Sequence, residues 1–152
     1  MQKTLIWTCG FILMSLWLYA QPANKDNFKS EFYKNGQKKA EGKLIDGKRQ
    51  GHWVHWYKNG EQEKEGDYHD GKEHGLWIFW YDNGKKKKET EYTNGKIHGR
   101  WIHWYKDGGK WGEGEIKNDQ RHGPWRWFYR NGTPMFSGVF KEDKPDGQWT
   151  HW

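Results

Sequence analysis

Cysteine is nearly absent from this chain: its 152 residues hold one, Cys9. A single cysteine excludes an internal disulfide. Once the first 20 residues are removed, thiol catalysis and cysteine metal sites are excluded as well. Aliphatic side chains are scarce, whereas Trp, Tyr and Phe make up 18% of the sequence, so any core is aromatic and thin. No convincing helical period occurs beyond the N-terminal segment. There is no defensible nucleophile–base pair, no Gly-rich phosphate loop and no cleft implied by the pattern. These absences point to a protein that is not an enzyme and takes no cofactor or metal.

The N-terminal segment stands apart in composition. Lys3 supplies a positive start, Leu5 to Tyr19 is almost wholly apolar, and Leu18-Tyr19-Ala20 precedes the polar Gln21. This is the layout of a secretory signal peptide cleaved after Ala20. The run is shorter than the ~20 apolar residues a spanning helix needs. Residues 1–20 therefore read as a signal, 21–30 as a short linker and 31–152 as the mature domain. The protein is expected to be exported to the periplasm, the cell surface or the medium. Without Lys3 the mature chain carries 25 Lys+Arg against 20 Asp+Glu, a net charge of +5 with the signs interleaved.

What the sequence does have is a period of 24 residues. Gly51, Gly75, Gly99, Gly123 and Gly147 form one column, and Trp53, Trp77, Trp101, Trp125 and Trp149 a second. Trp56, Trp80, Trp104, Phe128 and Trp152 form a third, and Tyr33, Tyr57, Tyr81, Tyr105 and Tyr129 a fourth. A fixed period of this length without insertions marks a stacked repeat array. Within one repeat, Trp53-Val54-His55-Trp56-Tyr57 is rich in β-forming residues. Asn59-Gly60 follows, a hairpin signal for a type I′ turn. A second strand runs from about Glu61 to Tyr68, and Asp70-Gly71 opens a longer loop ending at His74-Gly75. The turn glycines Gly60, Gly84, Gly108 and Gly132 keep this grammar. The fold class is all-β: an elongated antiparallel meander of ten or eleven strands, a single-layer twisted sheet or half-pipe.

Side chains alternate across a strand. Trp53, His55, Tyr57, Gly66 and Tyr68 are thus assigned to one face. Val54 and Trp56 are assigned to the other, beside Glu61, Glu63 and Glu65. Gly66 falls opposite Trp53, so the Trp53 indole is expected to lie over it. Gly42, Gly114 and Gly138 repeat this arrangement, and Thr90 departs from it.

The stretch from Gly66 through Asp70-Gly71 to His74-Gly75, and its copy Glu91–Gly99, resembles the MORN repeat. The continuation Gly-x-Trp-x-x-Trp-Tyr-x-Asn-Gly resembles the bacterial MORN-variant repeat of YwqK-family antitoxin-like proteins. The resemblance covers about residues 31–152. It implies a lipid-binding or protein-interaction scaffold and, through the antitoxin label, a partner toxin. The chain departs from the pattern where Asp119 and Asp143 occupy the first Gly position of their loops, and where Gln50 and Asp146 replace the loop His.

Candidate chemistry is weak elsewhere. His74, His98 and His122 stand one repeat apart, roughly 10 Å by strand spacing. Ligands of one zinc ion lie within ~4 Å of each other, so this column cannot share an ion. Glu41, Glu65, Glu89 and Glu113 are expected to pair with strand lysines such as Lys64 and Lys88. Lys85–Lys88 divide between two faces and meet Glu89 at once, which argues against nucleic acid, since a polyanion needs cations clustered on one face. Trp53, Tyr57, Trp77, Tyr81, Trp101, Tyr105, Trp125 and Tyr129 are assigned to packing. Trp56, Trp80, Trp104, Phe128 and Trp152, set among charges, are the candidate binding surface. The expected partner is another protein, with lipid headgroups or cell-wall glycan as the alternative. The edge bearing Trp149 and Trp152 offers self-association through strand addition.

Overall fold

The computed structural model describes residues 27–152, and the segment read as a signal peptide lies outside them. Eleven strands pair antiparallel in chain order to form one sheet. They are β1 (Asn27–Phe32), β2 (Lys38–Ile45), β3 (Lys48–Trp56), β4 (Gln62–His69), β5 (Lys72–Trp80) and β6 (Lys86–Thr93), followed by β7 (Lys96–Trp104), β8 (Lys110–Lys117), β9 (Gln120–Phe128), β10 (Pro134–Lys141) and β11 (Lys144–His151). The all-β meander is as expected. β1 starts at Asn27, so the first strand reaches into the segment read as linker. Among the described residues no helix is long and apolar enough to cross a membrane.

The two turn types are the reverse of the sequence expectation. At Asn59-Gly60 only Gly60 has a positive φ. The Gly60 N–H donates to the Tyr57 carbonyl, and the Tyr57 N–H to the Glu61 carbonyl. This is a type I turn closed by a left-handed glycine, the three-residue hairpin loop. Asn59 serves it through its side chain, whose Oδ1 accepts the Glu61 N–H at 3.1 Å. The tight type I′ turn lies instead at Asp70-Gly71, where φ is +52° and +79°. His74 and Gly75, expected to end a loop, lie inside β5.

Gly75 also has a positive φ, +69°, and it opens a bulge. Asp67 pairs with His74 and Glu65 with Ile78, so residues 75–77 oppose the single Gly66. The extra length swings the Trp77 indole onto Gly66, where an added Cβ would lie 2.4 Å from the ring. This corrects the expected contact: Trp53 pairs with Gly66 across the backbone, but its indole covers Gly42 of the preceding strand. Trp125 covers Gly114 and Trp149 covers Gly138 in the same way. Trp53, Trp77 and Trp125 donate their ring N–H to the carbonyls of Lys43, Asp67 and Glu115. At Thr90 the position is not glycine; Thr90 is wholly buried and its hydroxyl has no partner.

Two hydrogen-bond ladders join successive repeats. The hydroxyls of Tyr33, Tyr57, Tyr81 and Tyr105 donate to the carbonyls of Trp56, Trp80, Trp104 and Phe128. Tyr57 thus belongs to the turn, not to the Trp53 face as assigned from alternation. On the opposite margin, the N–H groups of Gly71, Gly95, Asp119 and Asp143 donate to Arg49, Glu73, Ile97 and Arg121. The aspartates that replace glycine add a second tie: Asp119 and Asp143 accept the N–H of Ile97 and Arg121 through their carboxylates.

Candidate interaction surface

A single sheet has two faces and no second layer to bury either. The face of the first Trp column (the inner face below) is nonetheless well packed. Trp53 and Trp77 are fully buried and Trp125 nearly so. An indole removes roughly 200 Å² from water, worth about 5 kcal/mol by area, so these rings carry much of the stability. Their cover comes from neighbouring side chains. The Arg49 guanidinium lies 4.3 Å from the Trp53 ring, Lys64 5.3 Å from Trp77, Lys88 4.1 Å from Phe79 and Arg121 3.9 Å from Phe140. The sequence reading missed this role for Lys64 and Lys88. Their pairing opposite His55 and Phe79 is the signal that puts them on the ring face, away from the glutamates.

The opposite, outer face carries the candidate column. Trp56, Trp80, Trp104 and Phe128 are half-buried there, while Trp152 is 62% exposed. Each ring of the first four stands on a residue whose carbonyl closes the tyrosine ladder, which fixes the column's register. Lys38, Lys86 and Lys110 lie over Trp56, Trp104 and Phe128 at 5.2, 5.4 and 6.0 Å. The same ammonium groups bond Glu41, Glu89 and Glu113. Gln62 bonds Glu65 in the repeat that lacks the lysine. The glutamate column is therefore held by these residues rather than by Lys64 and Lys88, with Glu41, Glu89 and Glu113 paired to a lysine and Glu65 hydrogen-bonded by the neutral Gln62. An apolar cleft of about 270 Å³ lies at the C-terminal end, lined by Trp127, Phe128, Pro134, Phe136 and Trp152 among others.

The histidines separate into two environments. His98 meets Asn118 at 3.3 Å, and His52 meets Asp67 at 3.3 Å, both exposed. Among the described residues no His, Cys, Asp or Glu group is arranged to hold a metal ion. His55 and His103 are on the inner face. Burial, then the charges of Lys64, Arg49 and Lys39, pull the His55 imidazole down to about 4. Burial, then Lys87 and Lys88, lowers His103.

The described geometry supplies repeated rings and paired charges, which suit docking. A family model for the MORN repeat variant matches residues 73–94 and 121–142. The two spans are the β5–β6 and β9–β10 hairpins, two periods apart. A comparison with curated proteins gives no match. Repeats of this kind are generally protein- or membrane-interaction motifs on a non-catalytic scaffold.

Proposed function

We propose that this array of MORN-variant repeats is an exported, non-enzymatic scaffold that binds a partner protein through the outer aromatic column. The observation that supports it most is the column itself. Trp56, Trp80, Trp104 and Phe128 recur on one uncovered face, each half-buried, roughly 10 Å apart by strand spacing. The lysines and glutamates beside Trp56, Trp104 and Phe128 are already paired with each other. A surface of ordered rings with neutralised neighbours favours apolar protein docking over attraction to a polyanion. Export rests on the apolar Leu5–Tyr19 segment and places the partner in the envelope or the medium.

Affinity capture tests this. The tagged chain is used as bait against envelope and secreted fractions at moderate salt. A stoichiometric protein, lost when Trp56, Trp80 and Trp104 become Ala in a folded bait, supports the reading. Capture of lipid or wall glycan with no specific protein overturns it in favour of an envelope-surface binder. A captured toxin encoded beside the gene would make the scaffold antitoxin-like.

A further inference from the structure

On the inner face, one cross-strand row runs His55, Lys64, Phe79, Lys88, His103 from β3 to β7. Four of these five side chains carry nitrogen, and none is a carboxylate. Lys64 and Lys88 make no ion pair among the described residues and rest on aromatic rings instead. His55 is only 8% exposed, and its Nε2 has no hydrogen-bond partner. The Nδ1 of His103 is buried and equally unpartnered. The nearby carboxylates Glu65 and Glu89 lie on the other face, held by Gln62 and Lys86. Half-buried cations without counterions and orphaned ring nitrogens are costly arrangements. Burial, and next the charges of Lys87 and Lys64, keep Lys88 below the ordinary lysine range. Neutral imidazoles flank the pair, and each can present an N–H to an anion.

We infer that this row binds an acidic peptide segment, its carboxylates at Lys64 and Lys88 and its backbone crossing Phe79. Adjacent strands are ~4.8 Å apart, so the two lysines are separated by about 10 Å, which matches glutamates three residues apart on a polyproline II chain, whose three residues per turn at ~3.1 Å rise return both side chains to one face. Beyond His103 the row continues as Gly112, Trp127 and Phe136. That uncharged floor suits apolar residues following the acidic pair. Two lysines flanking a ring are too few for a polyanion, whose binding scales with the number of phosphates neutralised. A half-buried row is reached by one extended chain more readily than by a plane of headgroups. The site lies on the face opposite the Trp56 column, so it stands or falls independently of the function proposed above.

The test uses the full chain and a fluorescent peptide with two glutamates three residues apart, followed by Leu and Trp. Anisotropy titration is expected to show binding. The joint Lys64→Gln and Lys88→Gln variant, or Gln for Glu in the peptide, should weaken it tenfold or more, as loss of charge-assisted bonds predicts. Lys88→Phe, which installs the residue Phe136 holds at the equivalent repeat position, should weaken it too and guards against a folding artefact. The joint Lys38→Gln and Lys86→Gln variant removes the same charge from the outer face and should leave binding unchanged. Wild-type affinity in the Lys64/Lys88 variant overturns the proposal, as does equal loss in the outer-face variant. Binding of phosphatidylserine-containing vesicles in place of the peptide overturns it also, and assigns the row to a headgroup.

Discussion

The two halves of the inner face cover the same Trp column by different means. From β2 to β6 the rings are lidded by cations: Arg49 over Trp53 and Tyr68, Lys64 over Trp77, Lys88 over Phe79. From β7 to β11 ring mostly covers ring, with Arg121 over Phe140 the cation lid of this half among the described residues. Trp101 lies 5.2 Å from Trp125, Trp125 stacks on Trp127 at 5.5 Å, and Trp127 stacks on Phe136 at 4.4 Å and Trp149 at 6.0 Å. The cause is a change at two repeat positions. Lys64 and Lys88 become Gly112 and Phe136, and His55, Phe79 and His103 give way to Trp127. A one-layer repeat sheet needs something over its indoles, and long amphipathic side chains do this as well as rings, because the stem covers while the charge reaches water. The cationic half retains polar groups for a ligand; the aromatic half spends its side chains on itself.

The largest effect expected is from Gly66→Ala. The new Cβ would sit 2.4 Å from the fully buried Trp77 ring, which has no room to retreat. Overpacking of this kind should cost about 3 kcal/mol in urea unfolding. Gly138→Ala meets the Trp149 ring at 2.3 Å, but Trp149 is only half-buried and can swing away, so about 1 kcal/mol is expected. Equal losses at the two sites would show that the cationic lids do not hold Trp77 in place.

Next in size is an acid sensitivity centred on His55 in the cationic half. His55 has a folded-state value of about 4 against an ordinary ~6.5. Between these values the unfolded chain binds more protons, so stability is full above about pH 6.5 and falls as pH drops toward 4. The loss at pH 4.5 should be on the order of 2 kcal/mol. His55→Phe copies the side chain of Phe79 one repeat on, and should remove most of the slope measured by urea midpoints, leaving the contribution of His103. An unchanged profile would mean that His55 is protonated at no cost, contrary to the burial and the Lys64, Arg49 and Lys39 charges that face it.

The period, the hairpins and the pairing of Trp53 with Gly66 were legible in the sequence, because each follows from spacing and alternation. Turn type was not. Asn59-Gly60 and Asp70-Gly71 carry the same signal, yet φ is positive at both residues of the second pair and only at the glycine of the first, where the Asn59 side chain bonds the Glu61 N–H. The direction of each indole was hidden too, since it depends on the bulge opened at Gly75. The outer column was visible as a column, yet its lysine covers required knowing which lysine faces which way. Lys38 and Lys86 lie three residues before their glutamates, whereas Lys64 and Lys88 are the adjacent residues and point to the other face. The unpartnered His55 and His103 nitrogens had no sequence signal; they follow from what the row leaves out.

The smallest effect compares an interior rung of the tyrosine ladder with the tyrosine that follows its last rung. The Tyr57 hydroxyl donates to the Trp80 carbonyl at 2.8 Å in a partly buried setting. Removing it in Tyr57→Phe deletes one rung and should cost about 1 kcal/mol. Tyr129 occupies the same repeat position but is 43% exposed, and among the described residues its hydroxyl makes no such bond. Tyr129→Phe should therefore shift the urea midpoint by nothing measurable. Because a repeat array sums local units and neighbour interfaces, the Tyr57 loss should appear as earlier amide exchange in β3 to β6, with β9 to β11 unaffected. A loss spread evenly over all eleven strands would instead show that the sheet unfolds as one unit and that the two halves differ in cover alone.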